Sequence, residues 1–197
     1  MKFCSQCQAE ITWKIPAGDN RHRFVCEPCD LIFYKNPRIV AGTLPVFENK
    51  ILLCRRAIEP RRGFWTLPAG FMENGESTEQ GALRETWEEA QAEVVLGPLY
   101  SVISVPHINQ VHMFFLAKMN TAQFAAGDES LEVALFDPKD IPWNELAFPT
   151  IVETLERYIK EAQIITSGEL NVTHVLDIPP HKAMNPAMLI PKVQPKD

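Results

Sequence analysis

Acidic side chains are concentrated in one segment of the chain, residues 70–92, at spacings that suit metal chemistry. Ser77 followed by Gln80 matches a capping box, which predicts a helix from Ser77 to about Gln91. Three glutamates of that helix, Glu85, Glu88 and Glu89, fall within one arc of roughly 100°. The opposite face carries Leu83, Thr86, Trp87 and Ala90. The pattern therefore predicts one face in the core and one face of carboxylates.

Such a cluster needs a physical reason, because like charges three or four residues apart each destabilise a helix by about 0.2–0.5 kcal/mol. Hard divalent cations supply one, since they take oxygen ligands. Gly81 lies on the carboxylate face, where a glycine costs about 1 kcal/mol relative to alanine, which indicates that space beside the acids is needed. The alternative interpretation is a solvated acidic surface.

The segment resembles the signature of the Nudix hydrolases, G-x5-E-x7-R-E-U-x-E-E-x-G-U, in which U is apolar. Six fixed positions match in register: Gly70, Glu76, Arg84, Glu85, Glu88 and Glu89. At average residue usage such a match arises by chance about once in ten million windows. Thr86 and Ala92 replace larger apolar residues, and Gln91 replaces the last glycine. These departures concern packing and the end of the helix.

The resemblance implies an α/β protein, an α/β/α sandwich with a mixed sheet, that hydrolyses pyrophosphate bonds with Mg²⁺ or Mn²⁺. It assigns metal binding to Glu85, Glu88, Glu89 and the carbonyl of Ala69, and catalytic or supporting roles to Arg84 and Glu76. Glu129 and Glu132 lie where many members place a loop acid near the metals. The general base is then a glutamate of the signature, Glu129 or Glu132. Arg55 or Arg56 is a candidate phosphate contact, the alternative being a solvated surface role.

Four of the five cysteines, Cys4, Cys7, Cys26 and Cys29, form the pattern C-x2-C-x18-C-x2-C. Two such knuckles can present four thiolates to Zn²⁺. Disulfides are the alternative, whereas Cys54 reads as a small buried hydrophobe. Residues 1–36 are too short for a core of their own, so the pattern predicts a zinc ribbon. We favour a structural or dimerising ribbon over a nucleic-acid-binding one, because its basic residues are few and no aromatic platform is evident.

These patterns predict that the chain has three parts, of which the ribbon is the first. After the ribbon, residues 37–165 carry five strand runs, beginning with a hairpin of IVAGTLPVF and ILLCRRA and ending with LFDPKDIPW, and a helix that starts at Pro149. That range is the expected Nudix domain. Residues 166–197 form a proline-rich tail, which we expect to be loose or to lie on a partner subunit.

Charge and composition limit the partners. The 197 residues include 19 Lys and Arg against 25 Asp and Glu, a net charge of −6, which argues against a nucleic-acid or membrane surface. The sequence opens without a signal-peptide pattern and holds no apolar run of transmembrane length. We therefore expect a cytoplasmic protein.

A zinc ribbon followed by this domain is similar to two groups, the NADH pyrophosphatases and the FAD or ADP-ribose pyrophosphatases. The first group carries an SQPWPFPxS motif after the signature, where this chain reads YSVISVPHINQVHMFF. The segments CRR, GFWTLPAGFMENGES, GALRETWEEA, ESLE and LAFPTI resemble the second group. That group implies a homodimer that cleaves FAD or ADP-ribose to AMP plus FMN or ribose 5-phosphate. NADH hydrolysis, RNA decapping and a weakly catalytic binding module are the alternatives.

Overall fold

The computed structural model describes residues 1–164 and 173–178. The chain divides into two compact units, Met1–Pro37 and a second that begins at Arg38. In the first unit three short strands, β1 (Thr12–Lys14), β2 (Arg23–Cys26) and β3 (Leu31–Phe33), form an antiparallel sheet in that order.

The second unit opens with the predicted hairpin. Its strands are β4 (Arg38–Phe47) and β5 (Lys50–Arg56), which pair in antiparallel fashion. Glu48 and Asn49 between them both have positive φ, 46° and 66°. Two successive left-handed residues give the turn whose twist matches that of the strands.

The remaining elements follow in chain order: β6 (Trp65–Thr66), β7 (Ala69–Phe71), α1 (Thr78–Ala90), β8 (Val94–Val105), β9 (Gln110–Met119), β10 (Ser130–Phe136), α2 (Pro149–Ile164) and β11 (His174–Asp177). The sheet has the order β10-β5-β4-β9-β8-β11, with β6 paired to β5 and β7 paired to β4. The β4–β9 and β8–β11 pairs are parallel and the others are antiparallel, so the sheet is mixed.

The two helices pack on opposite faces of this sheet. Along β5, Leu52 and Cys54 join a buried cluster with Ala90 of α1, whereas Ile51 and Leu53 join another with residues of α2. Alternate residues of a strand point to opposite faces, so the sheet lies between the helices. The predicted α/β/α sandwich with a mixed sheet is confirmed.

One detail of α1 differs from the prediction. The buried residues are Gly81, Ala82, Glu85, Thr86, Glu89 and Ala90, whereas Leu83 and Trp87 are 37% and 53% exposed. The face towards the sheet is therefore rotated, so that two of the glutamates lie on it. On the buried side Ala82 clusters with Ala41 of β4, and a Cβ on Gly81 would lie 3.5 Å from the Cβ of Ala41, whereas Leu83 and Trp87 stay outside the core.

The C-terminal part also differs. In α2 the predicted apolar stripe packs on the core, with Ile151 and Leu155 buried, but Ala162 at its end is exposed. Residues 174–177, assigned to the tail from the sequence, form β11 at the edge of the sheet, because a short alternating segment suffices to pair with β8. The rest of the predicted tail lies outside the described residues. No helix among the described residues is long and apolar enough to cross a membrane.

Candidate active site

Helix α1 begins and ends where the sequence predicts. The Ser77 side chain accepts a hydrogen bond from the Gln80 amide at 3.3 Å, and the Gln80 side chain accepts one from the Ser77 amide at 2.8 Å. The helix ends at Gln91, which is left-handed (φ 46°, ψ 34°) and donates its amide to the Trp87 carbonyl at 2.8 Å. Gln91, which replaces the last glycine of the signature, therefore adopts the left-handed conformation that ends the helix.

Arg84 connects three glutamates. Its Nε and Nη2 donate to the two carboxylate oxygens of Glu76 at 3.0 and 2.8 Å. Its Nη1 donates to Glu85 Oε1 at 2.7 Å and to Glu88 Oε2 at 3.0 Å. These charge-assisted bonds fix the direction of both helix carboxylates from one side. Arg84 therefore holds the carboxylates of Glu76, Glu85 and Glu88 in one hydrogen-bonded group.

Two glycines allow this packing. A Cβ on Gly70 would overlap the carboxylate of Glu85, and one on Gly81 would lie 2.8 Å from Glu76 Oε1. Gly81 therefore makes room beside an acid, as the sequence indicated, although that acid is Glu76. Ala69, beside Gly70 in β7, donates its amide to Glu89 Oε2 at 3.2 Å. The β7 backbone and the helix carboxylates are thus in direct contact.

The electrostatics of the cluster divide the glutamates into two kinds. Burial, with the charge of Glu85, raises the pKa of Glu89 to about 8. Burial also raises the pKa of Glu85, against the opposing effect of Arg84. By contrast, hydrogen bonds from Arg84 lower the pKa of Glu76 to about 2. Glu85 and Glu89 thus resist ionisation, and a cation bound between them would relieve both burial and repulsion.

A loop at the end of α1 adds a further acid. Ala125 and Gly127 donate their amides to the carbonyls of Ala90 and Glu89, at 2.9 and 3.1 Å. A Cβ on Gly127 would overlap the Glu88 carbonyl, so only glycine allows this approach. The loop brings Glu129 to the cavity beside the helix, where its charge also raises the pKa of Glu89.

Glu132 does not join this group. It lies on β10 opposite Arg55 of β5, and its Oε2 is 3.5 Å from Arg55 Nη1. Glu129 precedes the strand and lines the cavity, whereas the register of β10 shifts between Ser130 and Glu132 and sets Glu132 opposite Arg55.

Of the two candidate arginines, one lines the cavity and the other lies beside Glu132. Arg56 lines the cavity, with its guanidinium 5.2 Å from the centre of the Phe148 ring and its Nε donating to the Pro60 carbonyl at 2.9 Å. Arg55 instead bonds the Gly63 carbonyl at 2.8 Å, on the side of Glu132. The sequence did not predict the aromatic residues of the cavity wall, Phe64, Phe71 and Phe148, because they lie on separate segments that come together only in the fold.

Thr86, a departure from the signature, is accommodated by a buried partner. Its hydroxyl donates to the Ala82 carbonyl at 2.7 Å, which leaves Thr43 of β4 to donate to it across 2.6 Å. Both hydroxyls are satisfied in the core.

The four cysteines of the first unit meet at one point. The Sγ atoms of Cys4, Cys7, Cys26 and Cys29 all lie within 4.8 Å of one another, and none is in a disulfide. Sulfurs about 2.3 Å from a zinc ion at tetrahedral angles are about 3.8 Å apart, so the cluster fits this metal. Backbone amides lower the pKa of Cys4 to about 7, whereas the neighbouring sulfurs raise that of Cys29 to about 12. A cation would favour all four thiolates together.

Comparison with known proteins gives two family matches. The NUDIX domain matches residues 36–158, and the Nudix N-terminal zinc ribbon matches residues 2–35. The crystal structure of a NUDIX hydrolase from Nitrosomonas europaea is 50% identical, covers 90% of this chain and 99% of that one, and has a TM-score of 0.85.

Two curated relatives carry more specific names. An ADP-ribose pyrophosphatase of Methanocaldococcus jannaschii is 31% identical over 119 residues, 58% of this chain and 69% of that protein. The NAD-capped RNA hydrolase NudC of Pseudomonas fluorescens is 30% identical over 146 residues, 72% of this chain and 50% of that protein. The chain thus spans about half the length of the NudC relative. With the domain, the ribbon and the acidic helix all matched, the chain belongs to the Nudix family of pyrophosphohydrolases.

Proposed function

We propose that the chain hydrolyses the pyrophosphate bond of ADP-ribose or FAD, giving AMP plus ribose 5-phosphate or FMN. The observation that carries the proposal is the pair of buried carboxylates, Glu85 and Glu89, that face the cavity with raised pKa values while Arg84 fixes Glu85 and Glu88. A carboxylate cluster of this kind suits a divalent cation bound together with a pyrophosphate.

Glu85, Glu88, Glu89 and the carbonyl of Ala69 would hold Mg²⁺ or Mn²⁺. When bound, such an ion neutralises phosphate charge and lowers the pKa of a water molecule for in-line attack. The protein's own contribution is orientation: Arg84, itself held by Glu76, keeps Glu85 and Glu88 turned towards the cavity. Arg56 also lines the cavity, which supports a role in donating hydrogen bonds to a phosphate oxygen.

For the general base we favour Glu129 over Glu132. Glu129 lines the cavity and is close enough to raise the pKa values of Glu85 and Glu89, whereas Glu132 pairs with Arg55 on β10. A glutamate of the signature remains the alternative base. Replacement of each acid by glutamine separates these assignments, because only loss of the base removes the low-pH limb of the rate profile without weakening metal binding.

The substrate proposal follows the archaeal relative named ADP-ribose pyrophosphatase and the absence of SQPWPFPxS. The NudC relatives favour a second candidate, a pyrophosphate in NADH or at an NAD-capped RNA end. All these compounds present the same central group to the metal, so the side pockets decide between them.

The test is initial-rate kinetics with ADP-ribose, FAD, NADH and an NAD-capped oligonucleotide, at equal Mg²⁺ and again at equal Mn²⁺, with products separated by chromatography. We expect higher kcat/KM for ADP-ribose or FAD than for NADH, and AMP among the products. A clear preference for NADH or capped RNA would reject the substrate assignment. Hydrolysis of none of the four would leave a binding module as the better description.

Three further proposals concern the whole protein. Zn²⁺ binds the four thiols of the ribbon, which the sulfur geometry supports. Paired C-x2-C knuckles are more typical of metal sites in a reducing compartment such as the cytoplasm than of disulfides. A homodimer is expected from the resemblance to the FAD and ADP-ribose group, and sedimentation of the purified chain tests it.

A further inference from the structure

One face of the ribbon sheet carries a row of aromatic rings. Trp13 of β1 lies opposite Phe24 of β2, and Phe24 lies opposite Phe33 of β3, so the three side chains share a face. The Trp13 ring centre is 4.6 Å from that of Phe24 and 5.8 Å from that of His22, against which it stacks with 22° between the planes. The row is not evident from the sequence, because loops separate its members along the chain.

The row is not the core of the ribbon. The buried residues of this unit include Cys4, Val25 and Cys26, whereas Trp13 is 59% exposed and Phe24 and Phe33 are only half-buried. Neighbouring exposed aromatic rings of this kind can mark an interaction surface. It suits a ligand with flat apolar faces.

Positive charge accompanies the rings. Lys35 Nζ lies 4.7 Å from the centre of the Phe24 ring, on the same face. Two of the unit's acids, Asp19 and Glu27, are bound by Arg23 and Lys14, whose side chains alternate to the opposite face. Residues 1–37 carry five Lys and Arg against four Asp and Glu, whereas the rest of the chain carries fourteen against twenty-one. The aromatic face thus belongs to the less acidic part of the protein.

We propose that this face binds a short single-stranded nucleic acid, with bases stacked on Trp13 and its aromatic neighbours and phosphates beside Lys35. Bases of a single strand offer exposed π-faces to aromatic side chains, and those of a duplex do not. Stacking tolerates any base, so the site recognises single-strandedness rather than sequence. RNA and DNA share this chemistry, and the site is independent of the proposed hydrolysis, because no residue of α1 takes part.

Binding is measured by fluorescence anisotropy with labelled twelve-nucleotide RNA and DNA single strands and the matching duplex, on the full chain at low salt without Mg²⁺. We expect both single strands to bind more tightly than the duplex, and affinity to fall with added salt. Trp13→Leu removes the main stacking surface and should weaken binding at least fivefold. Trp13→Phe, which keeps a ring, should lose less.

The matched control is Tyr34→Leu, which removes a 62% exposed aromatic residue from the opposite face, where it lies under Arg23. It should bind within twofold of the parent chain. Zinc content identifies any variant whose ribbon has unfolded, and Lys35→Glu then serves as the second variant, with binding reduced at least fivefold. Equal losses in Trp13→Leu and Tyr34→Leu, or no binding of single strands, would overturn the proposal. Self-association that Trp13→Leu abolishes, without nucleic-acid binding, would assign the face to a second copy of the chain.

Discussion

The guanidinium of Arg84 and the carboxylate of Glu76 form a two-point pair, with Nε–Oε2 at 3.0 Å and Nη2–Oε1 at 2.8 Å. The remaining guanidinium nitrogen, Nη1, bonds both Glu85 and Glu88. Glu76 in turn accepts the Glu73 amide at 2.7 Å, so the turn before α1 holds the arginine in place. The positions of the Glu85 and Glu88 carboxylates thus depend on Glu76, which holds the arginine that bonds them.

Arg84→Lys tests this dependence. A lysine keeps the charge but has one nitrogen in place of the planar fork, so it cannot bond Glu76 at two points and also reach Glu85 and Glu88. We expect kcat/KM to fall by roughly 10–100-fold and the metal concentration for half activity to rise. Arg157→Lys, whose arginine pairs with Glu153 on α2 at 3.0 Å, is the matched control and should retain activity. Normal metal dependence in Arg84→Lys would show that the fork has no role in orientation.

Glu89→Gln separates metal binding from folding. The raised pKa of Glu89 means that the folded state resists its ionisation at neutral pH, whereas the unfolded chain ionises it freely. A neutral glutamine therefore removes a destabilising contribution of up to about 3 kcal/mol at pH 7. We expect kcat to fall by roughly three orders of magnitude while the metal-free protein is as stable as the parent or more so.

The measurements for Glu89→Gln are kcat, and urea unfolding with and without Mg²⁺. The parent should gain stability with the metal, and the variant should gain less. Glu79→Gln, an exposed acid on the first turn of the same helix, should change neither quantity. Near-normal turnover in Glu89→Gln would contradict its assignment to the metal.

Local patterns predicted this helix because its capping box and its acidic spacing involve only neighbours in sequence. The rotation of α1 could not be predicted in the same way. Leu83 and Trp87 are more apolar than Gly81 and Ala82, yet the small pair is buried and the large pair is exposed. Packing against the sheet decides which face of α1 is buried. The periodicity of the helix sequence carries no information about that packing.

Long-range packing also explains why the sequence could not distinguish the two candidate phosphate-binding arginines. Adjacent Arg55 and Arg56 are equivalent in sequence, but strand alternation sends one to Glu132 and the other to Phe148. Which of them faces the helix depends on the register of β5 with β10, a long-range pairing. The four ribbon cysteines could be predicted from the sequence, because each C-x2-C knuckle is local and the chemistry of a zinc site restricts the spacing.

His112 makes stability depend on pH. It is buried on β9, with Nδ1 3.1 Å from Thr150 Oγ1 and Nε2 2.9 Å from Gln110 Oε1. Burial lowers its pKa from 6.5 to about 4. The unfolded chain therefore binds a proton below pH 6.5 that the folded state takes up only near pH 4, so stability is full above pH 6.5 and falls across that window.

Between pH 6.5 and 5 the loss should be about 2 kcal/mol, and His112→Gln should remove it. Urea unfolding at several pH values measures the slope. His107→Gln, at an exposed position, should keep the parent slope. Parallel slopes for the parent and His112→Gln would mean that the imidazole does not stay neutral in the fold.

Gln91 holds a conformation that glycine adopts more easily. Its φ of 46° places a side chain in the left-handed region, which costs about 1–2 kcal/mol for most residues. Gln91→Gly should therefore raise Tm, by about 1–4 °C once the greater freedom of glycine in the unfolded chain is subtracted. Glu79→Gly, at a right-handed position of the same helix, should lower it. A decrease in both variants would show that the glutamine side chain contributes more than its backbone costs.

Cys26→Ser tests whether metal holds the ribbon together. Cys26 is buried, and its Sγ is 3.5 Å from that of Cys7, so serine removes one corner of the thiol cluster. Zinc supplies on the order of 10 kcal/mol to folds of this size, far more than three short strands can replace. We expect the purified parent to contain one zinc per chain and the variant to contain none. Hydrogen exchange should show lost protection in residues 2–35 and retained protection in β4 and β9. Cys54→Ser, at a buried thiol of the other unit, should keep the zinc, and a disulfide among the four ribbon cysteines would contradict the assignment.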